Sequence, residues 1–158
     1  MLGLRGRPPL TAVPLQMPIV EITRCEEFSA SHRLHNPALS DEENRKLYGP
    51  CNNLNGHGHN YDLFVTVCGE IPVQTGMVMN LHDLMWILRE KILPQVDHKH
   101  LNHDVPFLQG VIPTAENIAV SLWNQIEPEI ERFEGCRLHK IRLYESRNNI
   151  VEYRGSKS

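Results

Sequence analysis

The sequence predicts an α+β fold: an antiparallel four-stranded sheet with two helices on one face. Three observations carry that prediction. Residues 57–70 place His57, His59, Tyr61, Leu63, Val65 and Val67 at one parity, the signature of a strand with one buried face. Two later segments repeat apolar residues at helical spacing, and strand-like runs lie before and after that pair. The order is two strands, two helices, two strands, and such runs of like elements indicate α+β rather than a parallel α/β sheet.

The elements follow in order. Residues 1–18 contain Arg5, Arg7, no acidic residue and prolines at 8, 9, 14 and 18, and they read as a disordered tail. Residues 19–158 read as a single domain. From Ile19 to Ala30 the chain suits an extended segment that runs into Ser31-His32. Residues 36–46, with Pro37 and Asp41-Glu42-Glu43, read as a surface loop holding at most one helical turn. After the strand at 57–70, Gln74-Thr75-Gly76 marks a turn. Asn80 then caps a helix whose apolar residues are Leu81, Leu84, Met85, Leu88 and Ile92, and Pro94 should end it. Thr114 opens a second helix with Ala115, Ile118, Ala119, Leu122 and Ile126 on one stripe, and Pro128 should stop or bend it. Leu138–Glu145 and Ile150–Tyr153 form the last strand pair around Asn148-Asn149, since Asn tolerates positive φ. A sheet covered on one face leaves its other face needing shelter, which self-association would provide.

Bulk properties narrow the function. A net charge of -3 argues against a nucleic-acid partner. No stretch approaches the roughly 18–20 apolar residues of a membrane span. The four cysteines, Cys25, Cys51, Cys68 and Cys136, form no CxxC pair and no disulfide framework, so free thiols in a cytoplasmic setting are expected.

The chemistry gathers around histidine. His57-Gly58-His59 puts two imidazoles on one strand face about 6–7 Å apart, close enough to share an ion. Alone, such a pair is as easily two exposed strand residues. A third ligand would complete a catalytic zinc site with one open position; His32 supplies it if the first two strands pair, and His35 is the competitor. Cys51, in the loop feeding that strand, is a candidate base, although a loop cysteine is more often structural. Asp97-His98 could form a carboxylate–imidazole pair, or a merely solvated connection. Glu145 shares parity with Ile141 and Leu143; it needs a partner, either the NH donors of a planar heterocycle or an arginine such as Arg142 or Arg154.

Together the motifs FSASHRL (28–34), LSDEENRKLYGPCNNLNGHGHNY (39–61), TGMVMNLHDL (75–84), VDHKHL (96–101), PTAEN (113–117) and YESRNNIVEY (144–153) resemble the 6-pyruvoyl-tetrahydropterin synthase family. The resemblance runs from about Glu27 to Gly155. It implies the tunnelling fold, ββααββ, with three subunits closing a barrel and two trimers stacking into a homohexamer. It implies a lyase of tetrahydrobiopterin biosynthesis that takes 7,8-dihydroneopterin triphosphate to 6-pyruvoyl-tetrahydropterin with loss of triphosphate. One Zn²⁺ per subunit is implied, and no nicotinamide or flavin. By matching motif, His32, His57 and His59 are the zinc ligands, Cys51, Asp97 and His98 the proton-transfer residues, and Glu145 the pterin anchor. Thr114 and Glu116 stand as further pterin-pocket residues. Five residues separate Cys51 from His57, against the three usual in the related 6-carboxy-tetrahydropterin synthases. Val96 and Asn102 depart from the commoner residues, outside the catalytic groups.

Overall fold

A computed structural model describes residues 17–156. The expected tail over 1–18 lies outside the described residues apart from Met17 and Pro18. The sheet begins with β1 (Ile19–His32) and β2 (His57–Glu70), which pair antiparallel without interruption from Ile19↔Glu70 to His32↔His57. β4 (Cys136–Tyr144) joins the other side of β2, with one register shift at Thr66/Val67, and β5 (Ile150–Tyr153) pairs with β4.

A fifth strand was not anticipated. β3 (Lys99–His100) adds parallel to β1 at Ala30 and Ser31, so the sheet is mixed and ordered β3-β1-β2-β4-β5. Two residues carry no periodicity, and only the folded edge of β1 recruits them. That edge stays otherwise open: among the described residues no strand pairs with the outer side of β1 ahead of Ala30.

The loop expected at 36–46 is corrected in its second half to a helix, α1 (Asp41–Tyr48). Ser40 and Glu43 form a reciprocal capping box: the Ser40 side chain accepts from Glu43 N–H, and Glu43 Oε2 accepts from Ser40 N–H at 2.8 Å. Buried Asn44 ties the helix to the preceding turn, donating to the carbonyls of Asn36, Leu39 and Ser40 and accepting from Asn36 N–H. A 3₁₀ turn over Gly49–Asn52 follows.

Pro94 does not end the next helix. α2 (Leu81–Trp86) passes through a π-helical stretch, Ile87–Ile92, into α3 (Leu93–Val96). The Leu93 N–H reaches back five residues to Leu88 O, which opens the ladder just where Pro94 has no N–H to give. α4 (Ala115–Ile130) likewise runs two residues past Pro128, which sits in its last turn and costs a single backbone bond. These helices bury one face of the sheet. Phe28, Leu63, Val65, Val67, Ile141 and Leu143 pack with Leu84, Leu88, Ile118, Leu122 and Ile126 in one apolar cluster. The other face carries Thr23, exposed Cys25, Asn60, Asp62 and Phe64.

Gly56 ends the loop that delivers His57. Its φ is +72°, and a Cβ there would stand 2.7 Å from the His32 carbonyl oxygen. Gly56→Ala therefore combines left-handed backbone strain with a clash against a rigid carbonyl. The substitution is expected to lower stability by about 2–4 kcal/mol in urea unfolding. A variant as stable as wild type would mean that the β1–β2 end is looser than this close approach requires.

Candidate metal centre and active site

The uninterrupted β1–β2 register puts His32 opposite His57, with Ala30 opposite His59. All three imidazoles therefore emerge on the helix-covered face, at the end where the apolar core gives out. Their ligand nitrogens lie within 4.8 Å of one another, and His32 Nε2 and His57 Nε2 approach to 3.1 Å. His32 is fully buried, and its Nδ1 donates to the carbonyl of Pro113 at 2.7 Å. A carbonyl only accepts, so the proton sits on Nδ1 and the Nε2 lone pair faces the cluster. Three neutral imidazoles with no thiolate among them suit a Zn²⁺-like ion with an open position. His35, the alternative third ligand, is outside the cluster; its Nδ1 accepts from Asn52 Nδ2 at 3.1 Å.

Glu145 closes the group. Its Oε1 stands 3.7 Å from His32 Nε2 and 3.8 Å from His59 Nε2. The arginines considered as its partners are engaged elsewhere: Arg142 meets Glu152 Oε2 at 2.9 Å and Arg154 meets Glu152 Oε1 at 2.6 Å. Burial holds the His32 and His57 imidazoles below their ordinary pKa, and the neighbouring imidazoles add to the effect. Pro113 and Glu145 oppose it at His32 without reversing it.

Asp97 and His98 form a second constellation at the edge of β1. Ser29 N–H donates to Asp97 Oδ1 at 2.9 Å, and His98 N–H donates to Ser29 O at 2.6 Å. One residue of β1 thus clamps both. Asp97 Oδ2 lies 2.9 Å from His98 Nδ1. His98 has φ +55°, the sole non-glycine residue with positive φ among the described residues. Such strain persists where the surroundings fix it, and it is frequent at working sites. Burial acts to raise the Asp97 pKa, but the hydrogen bonds from Ser29 and His98 outweigh it and hold the carboxyl below its ordinary value. His98 is largely exposed and lines, with His59, Asn60 and Ser31, a cleft of about 520 Å³.

Cys51 sits in the 3₁₀ turn and is half-buried. No hydrogen bond joins its thiol to Asp97 or His98 among the described residues. Thr114 is the N-cap of α4, accepting from Asn117 N–H at 3.4 Å, directly after the carbonyl that orients His32. Glu116 lies exposed in the first turn of that helix.

Sequence reasoning missed two contributors. One is the Pro113 carbonyl, which no side-chain pattern reveals. The other is Tyr61, fully buried and stacked on Phe28 at 4.8 Å between centroids. Its ring lies edge-on to His59 at 5.6 Å, and its hydroxyl has no hydrogen-bond partner among the described residues. Burial and then the Glu145 charge push its pKa above the ordinary phenol range. Parity placed it beside the histidines, but its aromatic ring marked it as core.

A family model described as 6-pyruvoyl tetrahydropterin synthase matches residues 21–156. The chain is 51% identical over 135 residues to the 6-pyruvoyl tetrahydrobiopterin synthase of Homo sapiens, covering 85% of this chain and 91% of that one. It is 45% identical over 136 residues to the enzyme of that name from Dictyostelium discoideum, covering 86% and 96%. The solved structure of Caenorhabditis elegans 6-pyruvoyl tetrahydropterin synthase superposes with a TM-score of 0.82 at 40% identity, covering 89% of this chain and 98% of that one.

The depressed imidazole pKa values give the metal-free protein an acid sensitivity of definite sign. The unfolded chain takes up protons near the ordinary value of 6.5, whereas folded His32 and His57 resist them. Their contribution to stability is complete above 6.5 and declines as pH falls through that value, until the folded pKa values are passed. The urea midpoint of the metal-free protein should therefore drop between about pH 7.5 and about pH 5.5. An unchanged midpoint would show that these imidazoles protonate as easily folded as unfolded.

Proposed function

The chain belongs to the 6-pyruvoyl tetrahydropterin synthase family, and from that premise we propose that it is a zinc-dependent lyase converting 7,8-dihydroneopterin triphosphate to 6-pyruvoyl-tetrahydropterin and triphosphate, a step of tetrahydrobiopterin biosynthesis. The observation that carries the reading is the convergence of His32, His57 and His59 with the Glu145 carboxylate at one end of the sheet. These three histidines would hold one Zn²⁺ per subunit. Bound there, zinc would supply Lewis acidity to substrate hydroxyls, making neighbouring C–H and O–H bonds easier to ionise.

The reaction balances without an external oxidant, nicotinamide or flavin. One side-chain carbinol is oxidised to a ketone, and its two hydrogens appear on the ring C=N bond. Elimination of triphosphate across the next carbon pair leaves an enol, which ketonises to the methyl ketone. Each step moves a proton, and the elimination also breaks the C–O bond to triphosphate, which leaves with the bonding pair. Cys51 takes the role of base and His98 the role of proton carrier, with Asp97 holding the imidazole by the 2.9 Å contact. Glu145 would accept the pterin's ring NH and NH₂ hydrogens bidentately. Thr114 and Glu116 would border the pterin, by their place at the α4 N-terminus.

We further propose that residues 19–158 act as one domain, assembled into a homohexamer of two trimers whose sheets form barrels. The open outer edge of β1 and the terminal strand β5 support this, because unpaired edges in a protein of this size invite pairing. Four unpaired cysteines support a cytoplasmic location. A small-molecule substrate, without nucleic acid or membrane partners, completes the reading. Light scattering should give a mass several times 18.2 kDa. A stable monomer at micromolar concentration would rule out that assembly.

The competing function is a zinc-dependent pterin-binding module without turnover; it would need the histidines and Glu145 but not Cys51 or Asp97-His98. Metal analysis of two variants tests the ligand set: His57→Ala should lose its zinc and His35→Ala should keep it. The reverse result would refute the assignment. Cys51→Ala should keep both zinc and pterin affinity while triphosphate release slows about 10²–10⁴-fold. Cys68→Ala, whose thiol is buried within β2, is the control and should leave the chemistry largely intact. Near wild-type turnover by Cys51→Ala would move the base role to another group.

A further inference from the structure

We infer that the cleft walled by Arg33, His35 and Arg45 is a polyphosphate subsite, with the Arg33 guanidinium as its principal anion-binding group. The inference rests on the substrate proposed above, since it assigns a place to that substrate's triphosphate.

Arg33 directly follows the buried ligand His32, and its position is fixed by groups other than carboxylates. Its N–H donates to Asn102 Oδ1 at 2.8 Å, and its carbonyl accepts from Asn102 Nδ2 at 2.9 Å. One amide side chain therefore clamps the backbone on both sides. Its Nε donates to the Asn52 carbonyl at 3.0 Å. Asn52 is itself buried and anchored, donating from Nδ2 to Leu34 O at 2.7 Å. The guanidinium is thus held at its base while, among the described residues, neither Nη finds an acceptor and no carboxylate lies within ion-pair distance.

Burial and orientation together set Arg33 apart from the other described arginines. Arg24 and Arg89 meet Glu26, Arg132 meets Glu129, and Arg142 and Arg154 meet Glu152, while Arg45, Arg137 and Arg147 are exposed. A half-buried guanidinium, oriented by its Nε and unpaired at both Nη, presents the planar fork that phosphate oxygens accept bidentately. Holding it before a ligand arrives removes part of the ordering cost of binding.

The surroundings agree in charge, size and place. Arg33 lines a cleft of about 540 Å³ together with His35, Arg45 and Asp41. Two cations face one carboxylate, leaving a positive excess before His35 is counted. Pro50 and Asn52 also line it, so the cleft flanks Cys51 on both sides in the chain and adjoins His32 through Arg33. In the proposed substrate the phosphate ester stands a few bonds from the hydroxyls that zinc would hold, so its triphosphate must leave close to these residues. An oriented guanidinium there would stabilise negative charge as it builds on the leaving group.

The test uses the full-length zinc-loaded protein, with inorganic triphosphate as probe in titration calorimetry and unphosphorylated dihydroneopterin as the pterin control. Arg33→Gln should weaken triphosphate binding about tenfold to a hundredfold. Its zinc content and its affinity for dihydroneopterin should match wild type. Arg45→Gln, at an exposed position on α1, should weaken triphosphate binding by a smaller factor and serves if Arg33→Gln fails to fold. The inference is overturned if wild type does not bind triphosphate, or if the folded variants bind it as tightly as wild type. It is overturned equally if Arg33→Gln loses dihydroneopterin in the same proportion. Arg33-dependent triphosphate binding by a protein that leaves dihydroneopterin triphosphate unchanged would sink the proposed reaction and support the subsite.

Discussion

The register of β1 against β2 is the constraint on which everything else depends. Fourteen consecutive pairs run from Ile19↔Glu70 to His32↔His57. Because side chains alternate with period two, a slip of one residue would send one strand's histidines to the opposite face and split the cluster. The same slip would expel Tyr61, Leu63 and Val65, all fully buried, from beneath the helices. The apolar pattern that fixes the core therefore also fixes the site: each strand carries hydrophobic residues along most of its inner face and imidazoles at its end. Disrupting the histidine arrangement by slippage would mean dismantling the core as well.

Two further attachments turn this register into a working arrangement. Pro113, just ahead of α4, receives the His32 proton and so aims one nitrogen of a buried ring toward its neighbours. Ser29, three residues before His32, uses its amide and carbonyl to seize Asp97 and His98. His98 accepts positive φ under that grip, at a cost of order 1–3 kcal/mol that the surrounding hydrogen bonds and the β3 pairing offset. Both attachments use backbone atoms on elements far apart in sequence. Helix packing and strand pairing are thereby coupled to the orientation of ionisable side chains.

Much of this was legible in the sequence, for identifiable reasons. The odd-numbered parity of β2 announced both the buried face and the His57–His59 pair, and the hairpin around Asn148-Asn149 announced the last two strands. The Ser40-to-Glu43 spacing also announced α1, but the density of acidic residues and Pro37 made that stretch look like loop. Pro94 and Pro128 misled because proline is read as a stop signal. A π-helical offset before one and a place in the last turn for the other let both helices continue. β3 has no local signal at all. The two readings of Glu145 could be separated only in three dimensions, where Glu152 takes both arginines.

The buried side-chain atoms without partners show where this fold departs from uniform stabilisation. Among the described residues they are His57 Nδ1, Tyr61 OH and His100 Nδ1. None lies on the helices or on β4. All three lie at the end of the sheet that holds the histidine cluster and the Asp97-His98 edge, as does the positive φ of His98. A buried polar atom left unpaired costs about 1–3 kcal/mol, so selection for stability alone would not gather three of them at one end. The apolar cluster between sheet and helices can carry that local cost because it is continuous from Phe28 to Ile130. Polar groups left without protein partners beside a metal-competent cluster are available to a ligand, and the stable core is what lets them remain so.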